Sequence, residues 1–214
     1  MIDADGVAAR LADVRARIAR VGGNGVHVMA VTKTWGIDAV DAAAVVGCDS
    51  IGENYAQELA AKLEGVRALL PVHFIGRLQT NKVRLVAPFV DMYETVDRAS
   101  LAAELAKRAP GASVLVQVCT DADPHKGGCA VADVEALVDT CRSLGLVVDG
   151  LMTVGPTEGG PESARPGFRT VRSLLDRLDL NVCSMGMTDD LEVAVQEGST
   201  QVRVGSALFG PRLV

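Results

Sequence analysis

The chain has 214 residues, a formal net charge of −6 and 49% hydrophobic residues, which suits one compact domain with a sizeable core. No apolar run approaches the ~18 residues of a membrane span. The N-terminal MIDADGVAARLADVRARIAR carries early acids and no apolar stretch, which argues against a secretory signal. An acidic balance and only 3% aromatics argue against a nucleic-acid surface.

In chain order, Val7, Leu11, Val14 and Ile18 recur at helical spacing and predict an amphipathic N-terminal helix within residues 1–21. A glycine-rich turn follows, and Val26–Gly36 (VHVMAVTKTWG) reads as a buried parallel strand ending on Lys33. Ile37–Val46 is predicted helical with Gly47 as its C-cap, Cys48–Gly52 a strand, and Tyr55–Gly65 a helix. Pro71–Gly76 is the third strand, followed by a helix over Asn81–Ala87. Phe89–Val96 and Ser113–Cys119 are the next strands, with the helix Ser100–Arg108 between them. A loop, Thr120–Gly128, leads to the helix Val131–Leu144 and the strand Leu146–Thr153. A second loop, Gly155–Pro166, precedes the helix Phe168–Leu178. The strand Asn181–Ser184, the helix Thr188–Gln196 and the strand Thr200–Val204 complete the pattern. Eight strands alternating with helices favour a single (β/α)8 barrel over 26–210, preceded by the extra helix, over an open doubly wound sheet. No G-x-G-x-x-G follows a strand, which weakens a dinucleotide-binding alternative.

In such a barrel the loops after the strands build the active face. Lys33 follows the first strand, Glu53-Asn54-Tyr55 the second, Gly76, Gln79 and Asn81 the third, and Lys126-Gly127 the fifth. Met152 ends the sixth, Ser184-Met185-Gly186-Met187 follow the seventh, and the eighth delivers Arg203-Val204-Gly205-Ser206. Small residues after the last two strands expose backbone N–H groups, the usual place for a phosphate. The alternative is that the glycines serve turns and that Arg203 pairs with an internal acid such as Glu53. A strand-end lysine can simply snorkel to solvent. Opposite a phosphate site it can instead form a Schiff base with a phosphorylated aldehyde. Pyridoxal 5′-phosphate and a sugar-phosphate substrate of a cofactor-free aldolase both meet that description.

Among the remaining residues, His73 reads as a core histidine, His27 as structural and His125 as a solvated loop residue. Met152, Met185 and Met187 are candidates to line a ring. Asp189-Asp190 fit a first helical turn. Trp35 stands close enough to Lys33 to report occupancy by fluorescence. Five cysteines without C-x-x-C spacing or histidine partners read as reduced thiols of a cytoplasmic protein.

The motifs AVTKT (30–34), GENYAQE (52–58), HFIGRLQTNK (73–82), LVQV with HKGG further on (115–128), GLMT (150–153), SMGMTDDLEVAV (184–195) and GSTQVRVGSALFG (198–210) resemble the pyridoxal phosphate homeostasis protein family. The fold of that family is similar to the N-terminal barrel of alanine racemase. The resemblance implies a fold-type III barrel without a C-terminal β-domain and a pyridoxal 5′-phosphate cofactor held by Lys33 as an aldimine. It further implies Asn54 near the ring, Ser184, Gly205, Ser206 and Thr200 about the phosphate, and Arg203 facing the pyridine nitrogen. An arginine cannot protonate that nitrogen, so the ring is a weaker electron sink.

Departures from the family pattern are Thr32 and Thr188 where serine is common, Gly36 where proline is common, and a Cys119–His125 loop without the usual Asn and Glu. Lys126 is assigned no role. The chain stops a few residues after its eighth strand, so no second domain is expected to cover the cofactor and supply an acid or base on the other face. The implied function is a non-catalytic, monomeric carrier that buffers or delivers the cofactor to apo-enzymes, with no metal. The rivals are an amino-acid racemase whose lid comes from a partner, and the aldolase.

Overall fold

The computed structural model describes residues 2–121 and 126–210. Its strands are β1 (His27–Val31), β2 (Ser50–Glu53), β3 (Val72–Phe74), β4 (Met92–Val96), β5 (Ser113–Cys119), β6 (Cys129–Ala130), β7 (Val147–Met152), β8 (Val182–Ser184) and β9 (Gln201–Val204). Every pairing is parallel, and eight strands close into a ring in the order β1-β2-β3-β4-β5-β7-β8-β9, with β9 returning to β1. The expected (β/α)8 barrel is therefore the fold. The two-residue β6, paired to the end of β5 outside the ring, falls between the loop Thr120–Gly128 and the helix Val131–Leu144 of the sequence reading.

The helices are α1 (Ala4–Arg20), α2 (Ile37–Val46), α3 (Ala56–Leu63), α4 (Val83–Val86), α5 (Ala99–Arg108), α6 (Val134–Ser143), α7 (Arg165–Arg177), α8 (Leu191–Gln196) and α9 (Ser206–Phe209). In α1 the predicted stripe Val7, Leu11, Val14 and Ile18 is buried, while Arg17 pairs with Glu192 of α8 at 2.6 Å. Gly47 ends α2 with φ 83°, a conformation that favours glycine. Three helix starts move by three residues, that of α6 because Val131–Asp133 form a 3-10 turn before it. α7 begins three residues before Phe168 because Pro166 fits its first turn. α8 begins three residues after Thr188, because the Asp190 carboxylate accepts the Met187 N–H at 2.6 Å and holds 187–190 as a turn.

Strand alternation sorts the interior into two unlike compartments. Val28, Ala30, Ile51, Phe74, Val114, Val116, Leu151, Cys183, Val202 and Val204 point outward and join the helices in one continuous apolar core. The residues between them point into the barrel. Met29, Leu115 and Met152 are apolar, but His73, Glu94, Gln117, Ser184, Gln201 and Arg203 are all buried there too. Barrel lumens are usually filled by branched aliphatics. This one is polar.

Candidate functional site

The register around β1 assembles the mouth. Val31 pairs with Gly52 on β2, and Ala30 pairs with Val204 on β9. Two residues further, Lys33 is flanked by Asn54 on one side and by the Gly205-Ser206 corner on the other. Lys33 is half-buried. Its neighbours are held tightly. Thr32 donates its hydroxyl to Glu53 Oε1 at 2.6 Å, and the Thr34 N–H donates to Glu58 Oε1 at 2.5 Å. Lys62 of α3 lies behind both. Its Nζ donates to Glu53 Oε1 at 2.6 Å, to the Thr32 carbonyl at 2.9 Å and to Glu58 Oε1 at 3.0 Å. Thr34 takes a left-handed φ of 66°, uncommon for a β-branched residue, and the clamp holds it there.

Glu53 thus pairs with a helix lysine on the outer side of the sheet and not with Arg203. Burial pushes its carboxyl above the ordinary carboxylate value, against the Lys62 and Thr32 hydrogen bonds that pull it down. Its Oε2 has no hydrogen-bond partner among the described residues.

Asn54 lines a cavity of about 570 Å³ with Tyr55, Phe74, Arg77 and Lys82. Its Oδ1 is buried without a partner, an acceptor waiting for a donor. A Cβ built on Gly205 would stand 3.4 Å from Val31 Cβ, an ordinary contact, so the glycine leaves the corner open without being forced by packing. Ser206 is exposed, and its hydroxyl lies 3.4 Å from that of Thr188 on the loop after β8. Two hydroxyls converging from neighbouring loops suit an anion's oxygens. α9, which starts at Ser206, has only four residues, so hydroxyls and turn N–H groups carry this site more than a helix dipole does.

Arg203 and Ser184 stand below this corner, in the lumen. Arg203 Nη1 donates to Ser184 Oγ at 2.8 Å and Nη2 to the Thr153 carbonyl at 2.7 Å. Ser184 Oγ in turn donates to Glu94 Oε2 at 2.6 Å. Glu94 Oε1 accepts Gln201 Nε2 at 2.7 Å and lies 2.6 Å from His73 Nδ1. Burial opposes ionisation of Glu94, yet the His73 hydrogen bond and charge, the Arg203 charge and the Ser184 hydroxyl together hold its carboxyl below the ordinary value. For Arg203, burial lowers the guanidinium's value while Glu94 and Asp190 raise it, and the group remains a cation.

The structure places the sequence-predicted residues at different levels of the barrel. Lys33, Asn54 and the Gly205-Ser206 pair follow the carboxyl ends of the adjacent strands β1, β2 and β9, at the mouth. Ser184 does not present its hydroxyl to the mouth loops, because the strand's alternation turns it inward to Glu94. Thr200 is a correction: it precedes β9 at the opposite, amino-terminal end of the barrel. There its hydroxyl accepts the Cys183 N–H at 2.8 Å and it lines a floor cavity with His27, Asp49 and His73. Met185 is packed in the outer core and Met187 is exposed, which leaves Met152 as the one of the three in the lumen. Lys126 donates to Asp121 and to the Gly155 carbonyl, each at 2.7 Å, and the expectation for His125 lies outside the described residues.

Residues missed from sequence are Thr188, noted only as a threonine where serine is common, Glu94, Gln201 and Lys62. Asp190 is another. It is buried and electrostatically coupled to Arg203, not a solvated first-turn acid. The legible signal for Glu94 and Gln201 was a polar residue at an inward position of strands whose outward positions are apolar.

Burial pushes the thiols of Cys48, Cys129 and Cys141 up to about 11 and that of Cys183 to about 12, so none of the four is a ready nucleophile at neutral pH. Among the described residues no group of three side chains is arranged to hold a metal ion.

Residues 2–212 match the family model of the alanine racemase N-terminal domain. The chain is 38% identical over 223 aligned residues to the pyridoxal phosphate homeostasis protein of Pseudomonas aeruginosa, covering 96% of both. It is 42% identical over 178 residues to that of Aquifex aeolicus, covering 78% of both. Its fold superposes on PipY of Synechococcus elongatus, solved with pyridoxal phosphate bound, with a TM-score of 0.83, 30% identity and coverage of 95% of this chain and 100% of that one.

Proposed function

The chain belongs to the pyridoxal phosphate homeostasis protein family, and from that premise we propose that it holds pyridoxal 5′-phosphate at the barrel mouth and acts as a carrier of that cofactor. The observation that carries this reading is Lys33 at a strand end, with the unsatisfied Asn54 acceptor on one side and the paired Thr188 and Ser206 hydroxyls on the other. The residues fit the group. When bound, pyridoxal phosphate supplies an electrophilic aldehyde carbon on an electron-withdrawing ring.

Lys33 provides the amine that attaches to such an aldehyde, and the clamp around Lys62 fixes the backbone that carries it. Thr188 and Ser206 offer hydroxyl donors to phosphate oxygens, with Gly205 allowing close backbone approach. Arg203 presents a permanent cation from the lumen. It donates protons only as hydrogen bonds and gives none up, so it leaves the ring a poor electron sink, which favours carriage over turnover. In this reading the protein works in the cytoplasm as a monomer that passes the cofactor to apo-enzymes.

The test is a visible spectrum of the protein with added pyridoxal phosphate, before and after borohydride. Wild type should show a bound-cofactor band, and its reduced adduct should map to Lys33. Lys33→Ala should show no such band. Trp35, half-buried beside Lys33 and 5.7 Å from the Phe209 ring, should be quenched only in wild type. Absence of the band from wild type would sink the reading. Isotope exchange at Cα of an added amino acid would overturn the carrier role in favour of an enzyme.

A further inference from the structure

Resting on that reading of the mouth, we infer that Glu94 is the counter-charge that holds Arg203 in place beneath the bound cofactor. It is a positioning residue on the far side of the lumen. Glu94 is wholly buried and Arg203 is 4% exposed, and isolated charges at such depth are strongly disfavoured. The two are joined through one atom. Ser184 Oγ gives its proton to Glu94 and accepts Arg203 Nη1, at 2.6 and 2.8 Å.

Gln201, two residues before Arg203 on the same strand, donates to both Glu94 Oε1 at 2.7 Å and Ser184 Oγ at 3.1 Å. The carboxylate is therefore tied to β9 twice, once through a hydroxyl and once through an amide. That leaves the guanidinium only a narrow range of positions. Nη2 is fixed to the Thr153 carbonyl at the end of β7.

The charged and titratable groups around the pair are few. Glu94 faces His73 from β3 and Arg203 from β9. Arg203 faces Glu94 from β4, and it also feels charge from Asp190 in the turn before α8 and from Cys183 on the outer face of β8. Asp190 spends one carboxylate oxygen on the Met187 N–H, so it anchors a loop as well as contributing charge. Glu94 is the acid that shares a hydrogen-bonding atom with Arg203, and neutralising it leaves the barrel one positive charge richer under the ring.

The experiment compares wild type, Glu94→Gln, Arg203→Met and the double variant. Each is measured as unliganded protein by thermal denaturation and with pyridoxal phosphate by a pH series of visible spectra. Glu94→Gln should weaken cofactor binding by about tenfold and move the pH titration of the bound-cofactor band downward by about one unit, because added positive charge disfavours a protonated ligand. In unliganded protein, Glu94→Gln should lower the melting temperature in the wild-type background and cost much less in the Arg203→Met background.

A band with the wild-type pH profile overturns the inference, as does a melting cost that is undiminished without Arg203. If Glu94→Gln alone is insoluble, the double variant decides. Recovery of soluble protein supports the coupling, and continued insolubility refutes it. Failure of wild type to bind pyridoxal phosphate would remove the functional premise and leave the melting comparison to judge the charge pair by itself.

Discussion

Lys62→Met should lower unfolding stability by about 3–5 kcal/mol at neutral pH, because it strands a buried carboxylate without its cation. For a chain of this length that is a fall in melting temperature of about 10 °C. Lys62 is 5% exposed and Glu53 is wholly buried, so solvent cannot replace the lost partner. The loss also releases the Thr32 carbonyl and loosens the Glu58 carboxylate that secures Thr34. The effect depends on pH, with a definite sign. Glu53 has its folded value raised by burial, so between the unfolded value of about 4.3 and that higher one the native state holds a proton the unfolded chain has released. Stability falls as pH rises through that window. Without Lys62 the window extends further upward, so the variant's deficit should be small near pH 5 and full above neutrality. Circular-dichroism melts at the two pH values decide it. Equal deficits at both would mean that Lys62 acts through packing alone.

Gly76→Ala should cost about 3 kcal/mol or more, and should also weaken cofactor binding. A Cβ at this position would stand 2.0 Å from the Asn54 carbonyl oxygen and 2.7 Å from its Cα, a backbone overlap that no rotamer relieves. Neither side yields easily. The Ile75 N–H is bonded to the Glu53 carbonyl at 2.9 Å, and the Thr95 hydroxyl holds the Gly76 carbonyl at 2.6 Å. The strain must therefore move Asn54, whose Oδ1 is buried without a partner. A titration with pyridoxal phosphate followed at the visible band, beside a thermal melt, separates the two effects. Unchanged affinity at reduced stability would remove Asn54 from the site.

The architecture was readable because parallel strands buried on both faces leave long β-branched and aliphatic runs, and Ser113–Cys119 and the run ending at Lys33 are of that kind. Lys33, Asn54 and the Gly205-Ser206 corner were readable for the same reason, since each marks the carboxyl end of such a run. Ser184 and Thr200 were harder. Whether a strand-end residue faces the mouth, the lumen or the floor depends on register, and a displacement of one position reverses the side chain. Ser184 belongs to the lumen and Thr200 to the floor. Lys62 was invisible for another reason. On α3 it sits at i+4 from Glu58, which reads as an ordinary surface pair, and only the approach of β2 turns it into a buried clamp.

The polar lumen has a thermodynamic consequence for the whole molecule. Hydrating apolar surface on unfolding raises the heat capacity, while hydrating polar surface lowers it. A barrel that stores a histidine, a glutamate, two glutamines, a serine and an arginine where aliphatic side chains usually stand therefore unfolds with a smaller heat-capacity step than its length implies. Its stability curve is correspondingly flatter, changing less between cold and warm conditions, and differential scanning calorimetry reads that curvature directly.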